Sequence, residues 1–516
     1  MTTMGLPVGK GSGAPGAAVA LQQGSGKWIL LAAILGSSMV FIDGTVVNVA
    51  LPALQTSLQA TIADVQWVVE AYALFLAALL LVGGSLGDLY GRKRIFLAGT
   101  ILFAGASVWC GLAPGIGHLI AARCLQGVGG ALLIPGSLAL ISTSFVPEER
   151  GRAIGTWSGS TAITAAIGPV LGGWLVQHAS WRWVFFINVP MAAVVVLVCV
   201  LRVFETRDKG TMRARLDWIG ALLATVGLGG VLFALIEWSR SGTLARVAGA
   251  VGVATLAGFV VAEKRLSAPM LPFELFGSRN FTGANLLTFF LYSALGGVLF
   301  FFPLDLIQVQ HYSATQAGGA VLPLILLISL LSRRSGGLVT RFGARRTLIV
   351  GPLIAAAGFA LFAVPAMGKT YWTMFFPAVM VLGFGLAISV APLTTVVMSA
   401  VPQARVGVGS GINNAVSRVA SLLAVAVLGL VLSTTFNRAL DSRLAALGVQ
   451  GEARAAVDAQ REKLAAIESG DPEIRAAVAM AFFSGYRVVQ LTAVALAALG
   501  ALTSALLIQN RDIKRP

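Results

Sequence analysis

Charge is what this chain has least of. Only 11% of its 516 residues are Asp, Glu, Lys or Arg, against about 25% in an ordinary soluble protein, so a water-soluble surface cannot be built from it. Histidine and cysteine are scarcer still, three of each, and they fall at no metal-ligand spacing. Cys110, Cys124 and Cys199 lie singly in apolar stretches without any Cys-x-x-Cys pair, and read as packing residues. A phosphate loop is missing: the nearest match, Gly368-Lys369-Thr370, lacks the glycine required five residues before Gly368. No Ser/His/Asp constellation offers nucleophilic catalysis either. The expectation is a protein that is not an enzyme, holds no metal and no cofactor, and draws its energy from an ion gradient.

What remains is apolar. Hydrophobic residues make up 57% of the chain, gathered in blocks of about 20, the length an α-helix needs to cross roughly 30 Å of hydrocarbon. The net charge of +16 does not point to nucleic acid, because the cations sit in short clusters between apolar blocks. They report topology instead. Residues 1–27 hold no apolar run and read as a flexible cytoplasmic tail rather than a signal peptide, so the first block, from Trp28, is expected to stay as an anchor.

Fourteen spans are expected: 28–49, 65–87, 95–112, 119–145, 155–176 and 184–203; an additional pair at 218–236 and 244–261; then 281–307, 314–339, 347–364, 372–397, 406–432 and 481–507. The domains follow as a six-helix half over 28–203, two extra helices with basic linkers over 204–280, a second six-helix half over 281–508, and a cytoplasmic tail over 509–516. Alternate loops carry clusters such as Arg92-Lys93-Arg94 and Arg341 with Arg345 and Arg346. This bias puts both termini on the cytoplasmic side of the membrane, in agreement with an even helix count. Loop 437–480 is long and mixed in charge, with Ala-rich helical stretches around 453–466. It reads either as a small cap or docking site on the outer face or as a solvated connector.

An internal repeat fixes the architecture. Gly84-Ser-Leu-Gly-Asp-Leu-Tyr-Gly-Arg-Lys-Arg94 after span 2 is echoed by Gly336-Gly-Leu-Val-Thr-Arg-Phe-Gly-Ala-Arg-Arg346 after span 10. Pro135 and Pro147 are echoed by Pro392 and Pro402 at nearly the same spacing. Such repeats belong to transporters built from two homologous halves that rock about a site near the bilayer midplane.

Four stretches carry candidate chemistry. The tight turn with Gly84, Asp88, Gly91 and Arg92 resembles motif A of the major facilitator superfamily. Its acid can meet the positive N-terminal end of a helix in the other half, with span 13 near Arg405 as the expected partner. In the second half Thr340 replaces that acid, which makes the latch one-sided. Span 1 holds Asp43 in Ile42-Asp-Gly-Thr-Val-Val-Asn-Val-Ala-Leu-Pro52, similar to the first-helix signature of the fourteen-helix drug:proton antiporters, the EmrB/QacA type. A charged Asp there costs about 2.5–3.5 kcal/mol on insertion scales and needs a partner, water or a proton, unless it lies at a helix end in the headgroup zone. Span 4 has Arg123, Gln126 and Gly127 in a run resembling motif B; Arg123 either serves an acid such as Asp43 or Glu70, or snorkels to the interface. Span 5 has Gly168, Pro169, Gly172 and Gly173, resembling the antiporter motif C, with Thr164 where the pattern has glycine.

Two further acids sit in apolar segments. Glu70 is interfacial or buried, and is the preferred second coupling acid beside Asp43. Asp305, followed by Gln308, Gln310 and His311, reads as a water-facing helix end. Trp181 to Pro190 reads as an aromatic membrane anchor.

The resemblance implies an all-α polytopic membrane protein of the major facilitator fold, two six-helix halves plus two extra central helices. It further implies proton-coupled efflux of drug-like or toxic molecules by alternating access, with small-molecule substrates, the lipid bilayer and a possible periplasmic adaptor and outer-membrane channel as partners. The alternatives are an exporter of one metabolite, sugar, amino acid or self-made antibiotic on the same fold, and, more remotely, a membrane receptor or scaffold.

Overall fold

A computed structural model describes residues 24–205, 217–238, 240–266, 269, 271–335, 337–364, 370–402 and 405–510. Among the described residues fourteen helices are long and apolar enough to cross a membrane: α1 Gly26–Ser57, α2 Ile62–Tyr90, α3 Arg92–Leu112, α4 Ile116–Ser144, α5 Glu149–His178, α6 Trp183–Arg202, α7 Trp218–Ile236, α8 Gly242–Arg265, α9 Arg279–Val309, α10 Ala314–Ser332, α11 Ala344–Phe362, α12 Tyr371–Ser399, α13 Val408–Ala446 and α14 Pro472–Leu507. Most of the expected tail (1–23), the basic linker at 206–216 and the stretch holding Lys369 lie outside the described residues, as does the side chain of Thr340.

Local chemistry sets the helix ends. Thr61 and Asp64 form a reciprocal capping box at the start of α2, and Ser313 with Gln316 does the same for α10. Between α2 and α3 the chain reverses through Gly91 at φ 109°, a conformation open to glycine and unfavourable for a side chain.

The repeat read from sequence is visible in the packing. Within the first half α1 lies on α5 and α6, α4 on α2 and α3, and α3 on α6; within the second half α9 lies on α13 and α14, α12 on α10 and α11, and α11 on α14. The halves meet through two equivalent seams, α5 with α10 and α2 with α13. The extra pair is central in the chain but peripheral in space. α7 packs on both α2 and α13 through Leu228 and Leu232 against Leu74, Leu422 and Ala426, covering one seam. α8 crosses α7 at Gly227, Gly230 and Gly252: a Cβ at Gly230 or Gly252 would strike the opposite backbone, and one at Gly227 the Leu256 side chain.

Helices α13 and α14 run beyond their expected spans into the stretch read as loop 437–480. α13 runs on to Ala446, and α14 begins at Pro472, so the connecting loop contracts to 447–471. The stretches are too polar for lipid, yet Phe436, Leu440 and Leu444, and Ile474, Val478 and Phe482, recur at helical spacing and are buried. Over them folds a cap made of a helix, Gly451–Asp458, and a 3-10 turn, Arg461–Ala466. Of the two expectations for this loop the cap holds: Val457, Leu464 and Ile467 insert into the same core.

That core unites both halves at the capped end, joining Val47, Leu51 and Leu54 of α1 to Phe300 and Leu304 of α9 and Leu428 and Leu432 of α13. At the opposite end, where the basic loops lie, the halves keep separate cores, one around Phe96, Phe145 and Val203 and another around Phe281, Leu393 and Ile412. The molecule is therefore closed at the capped end.

Candidate functional site

Helices α1, α2 and α4 bring the acids and bases of the first half together. Arg123 of α4 donates to Asp43 of α1 at 2.5 Å and to the Gln126 side-chain oxygen at 2.6 Å, and its Nε donates to the Val68 carbonyl at 2.9 Å. The Gln126 amide donates to Asp43 at 2.8 Å and to Ser107 at 2.9 Å. From α6, Asn188 donates to the same Asp43 oxygen at 3.4 Å. The Tyr72 ring covers the guanidinium at 4.1 Å, a cation–π contact. Asp43 and Arg123 are 0% and 1% exposed. A buried charge persists only when paired and hydrogen-bonded, and this pair is both.

The alternatives for Asp43 and Arg123 at the interface therefore fall away, and Arg123 serves Asp43 rather than Glu70. Gly127 permits the arrangement: a Cβ there would lie 2.5 Å from the Tyr72 carbonyl, so glycine brings α4 against α2.

Glu70 is different. It is 1% exposed, and its Oε2 has no hydrogen-bond partner among the described residues. It lines a cavity of about 320 Å³ between the halves, walled by Val47 and Arg123 from the first half and by Leu299, Phe300, Arg418 and Val425 from the second. Asp43 is absent from that lining; Arg123 stands between it and the cavity.

Motif C lies on a seam. Cβ atoms at Gly168 and Gly172 would strike Thr45 and Val46 of α1, and one at Gly173 would strike the Ala314 backbone of α10 in the other half. Gly318 returns the contact against Pro169. Small residues let these backbones touch. Thr164, in place of glycine, is accommodated by donating to the Thr161 carbonyl at 2.9 Å.

Motif A differs from expectation. Asp88 pairs with Arg92 of its own turn at 2.7 Å, and Arg405 pairs with Glu274 at 2.9 Å, so the latch between Asp88 and α13 is not made in this conformation. The acid that meets a helix N-terminus there is Glu205, which accepts from the backbone of Lys93 at 3.1 Å and Arg94 at 3.2 Å on α3. Gly84 lies beside Pro135 of α4.

Asp305 is also corrected. It is 1% exposed rather than water-facing, and opens a π-helical turn, Asp305–Val309, at the end of α9. The extra residue in that turn rotates it inward, away from the polar segment that follows. Within the supposed aromatic anchor, Trp183 is exposed but Trp181 and Asn188 are buried, so that segment also serves the Asp43 network.

Sequence reading missed Ser107, Tyr72, Asn188 and Arg418. Each is a polar group in an apolar span, which is the feature that had singled out Asp43 and Arg123.

Fold and site together define a polytopic membrane protein with a cavity between two six-helix halves. The chain belongs to the Major Facilitator Superfamily, whose sequence profile matches residues 33–425. It is 36% identical over 423 residues to the multidrug resistance protein Stp of Mycobacterium tuberculosis (strain CDC 1551 / Oshkosh), covering 80% of this chain and 77% of that protein. It is 35% identical over 415 residues to the tetracenomycin C resistance and export protein of Streptomyces glaucescens, covering 78% and 76%. Among solved structures it resembles a bacterial homologue of the human lysosomal transporter Spinster, in an inward-facing unoccupied conformation, with TM-score 0.66 and 18% identity over 96% of this chain and 100% of that one. At that identity the likeness speaks for the fold.

Proposed function

We propose that this chain exports drug-like molecules across a bacterial cytoplasmic membrane in exchange for protons. The carrying observation is the contrast between two buried acids. Asp43 has a matched counter-charge in Arg123, whereas Glu70 has none among the described residues and lines the cavity between the halves. An acid within the membrane is a functional group by default, and the one that faces the cavity without a partner is the one able to trade a proton for a substrate. Asp43, Arg123 and Gln126 hold α1, α2 and α4 in register around it. Relatives named for multidrug resistance and for antibiotic export support the substrate side of the reading.

With both termini on the cytoplasmic side, the capped end faces outward and the structure is an inward-facing state. Asp88, Arg92 and Gly91 then belong to a latch that forms when the basic end closes, and the motif C glycines to the seam that opens at the other end. The membrane potential supplies about 2.3 kcal/mol per charge per 100 mV, so a proton moving inward sustains an export gradient without a cofactor. A dedicated exporter of one antibiotic is the second reading, supported by the relative named for tetracenomycin C.

The test is substrate-induced proton release from proteoliposomes. Release is expected from the parent and not from Glu70→Gln, while a folded parent that moves no proton with any compound contradicts the proposal.

A further inference from the structure

Two cations line the central cavity, Arg123 and Arg418. The first is committed to Asp43, Gln126 and the Val68 carbonyl. The second, on α13, makes no hydrogen bond or ion pair with any of the described residues. Glu70, the acid of the same lining, makes no ion pair either and keeps a buried Oε2 without a partner. One of these charges belongs to each half, and the wall around them is mostly apolar, with Val47, Leu76, Leu299, Phe300, Leu422 and Val425.

An unpaired guanidinium at membrane depth is costly unless water or a ligand answers it, and it cannot shed its proton to escape. Its planar fork is shaped for a carboxylate, which it binds through two parallel hydrogen bonds. A purely cationic ligand would satisfy Glu70 and be repelled by Arg418; an anionic one would do the reverse. A ligand carrying both charges answers both groups and leaves no net charge in the cavity.

We infer that the cavity binds zwitterionic amphiphiles, with the acidic group at Arg418, the basic group at Glu70 and the apolar body along the wall between them. The inference rests on the efflux reading and names its substrate class. It also links ligand to both coupling and motion, because the amine takes the place of the proton on Glu70 and the molecule bridges the two halves.

The test is equilibrium binding to the full chain in lipid nanodiscs, using norfloxacin as zwitterion, its methyl ester as cation and its N-acetyl derivative as anion. A charge-assisted hydrogen bond converts to about a tenfold or greater change in affinity, so the parent should prefer norfloxacin to either derivative by about that factor. Arg418→Gln should weaken norfloxacin and the N-acetyl compound by about tenfold and leave the ester bound at least as tightly as before, while Glu70→Gln should weaken norfloxacin and the ester but not the anion. Ester binding in Arg418→Gln reports that the cavity is folded. If that variant does not fold, Arg418→Lys decides: it should keep the preference for norfloxacin, and a folded Lys variant that prefers the ester overturns the inference. Unchanged norfloxacin affinity in Arg418→Gln also overturns it. If the ester is still bound and exported in that case, the substrate class fails and the efflux reading stands; if the parent binds and exports none of the three, both fail.

Discussion

Asp43 on α1 and Arg123 on α4 form a fully buried ion pair, 2.5 Å between carboxylate and guanidinium, whose remaining hydrogen bonds are taken up by Gln126, Asn188 and the Val68 carbonyl. Breaking one side of such a pair leaves the other charge stranded. Asp43→Ala should therefore destabilise the protein by about 3–5 kcal/mol, whereas a double replacement by Leu at Asp43 and Met at Arg123 should recover much of that. Thermal unfolding in detergent measures both, and a double variant no more stable than Asp43→Ala would show that the pair is not the unit described.

Glu70 has no such partner, so its loss should spare the fold. Glu70→Gln keeps the shape of the side chain and removes its charge. Its melting temperature should match or exceed the parent's, since a buried carboxyl without an ion pair is an unfavourable group, while substrate-coupled proton movement is lost. A variant that unfolds would place Glu70 with the structural acids.

The α5–α10 seam depends on Gly173 and Gly318, each packed against the opposite backbone. Gly173→Val should disfavour closure at the capped end by about 1–3 kcal/mol, the usual cost of overpacking. Paired spin labels across that end should then show longer distances, and labels across the basic end shorter ones. No change at either end would contradict the seam's role.

The cap also joins the halves. Gln55 of α1 donates to the Lys463 carbonyl at 3.2 Å, Lys463 donates to Gln59 at 2.9 Å, and Arg240 between α7 and α8 pairs with Glu462 at 3.4 Å. Cysteines at Gln59 and Lys463 in a cysteine-free background, joined by a flexible bis-maleimide, should arrest transport, because opening the capped end must part them. Full transport after complete cross-linking would mean that the cap rides with the first half.

Within the cap, burial tends to raise the Asp458 carboxyl, but hydrogen bonds from Arg461 at 2.7 Å and Arg454 at 3.0 Å hold it below the ordinary Asp value. A lowered folded value gives stability that is present above the unfolded value and lost as pH falls through the folded one. Hydrogen-exchange protection of the Gly451–Asp458 helix should thus persist down to the ordinary Asp range and fall below it, and Asp458→Asn should lack the difference at neutral pH.

Much of this was legible beforehand, for identifiable reasons. The fourteen spans follow from apolar block length, and the two halves from the echo of Gly84–Arg94 in Gly336–Arg346. Asp43 and Arg123 stood out as charges in apolar segments, though only the fold pairs them with each other. Arg418 was passed over because counting cations for topology drew attention to loops, and Asn188 because the aromatic residues around it suggested an anchor. The cap lay beyond reading: a stretch that alternates charge and alanine has no period showing that Leu464 turns into a core shared by helices far away in the chain. The Asp88 latch was misread because its partner depends on which end of the molecule is closed.

The central claim is exchange of substrate for proton at Glu70. It is tested most directly by loading proteoliposomes with a pH indicator, imposing a substrate gradient without any pH gradient, and comparing the parent with Glu70→Gln. The account predicts substrate-driven proton movement in the parent and none in the variant, with substrate still bound by both at saturating concentration, though more weakly by the variant. Proton movement of equal size in the two, or substrate flux in the parent with no proton movement, would contradict it.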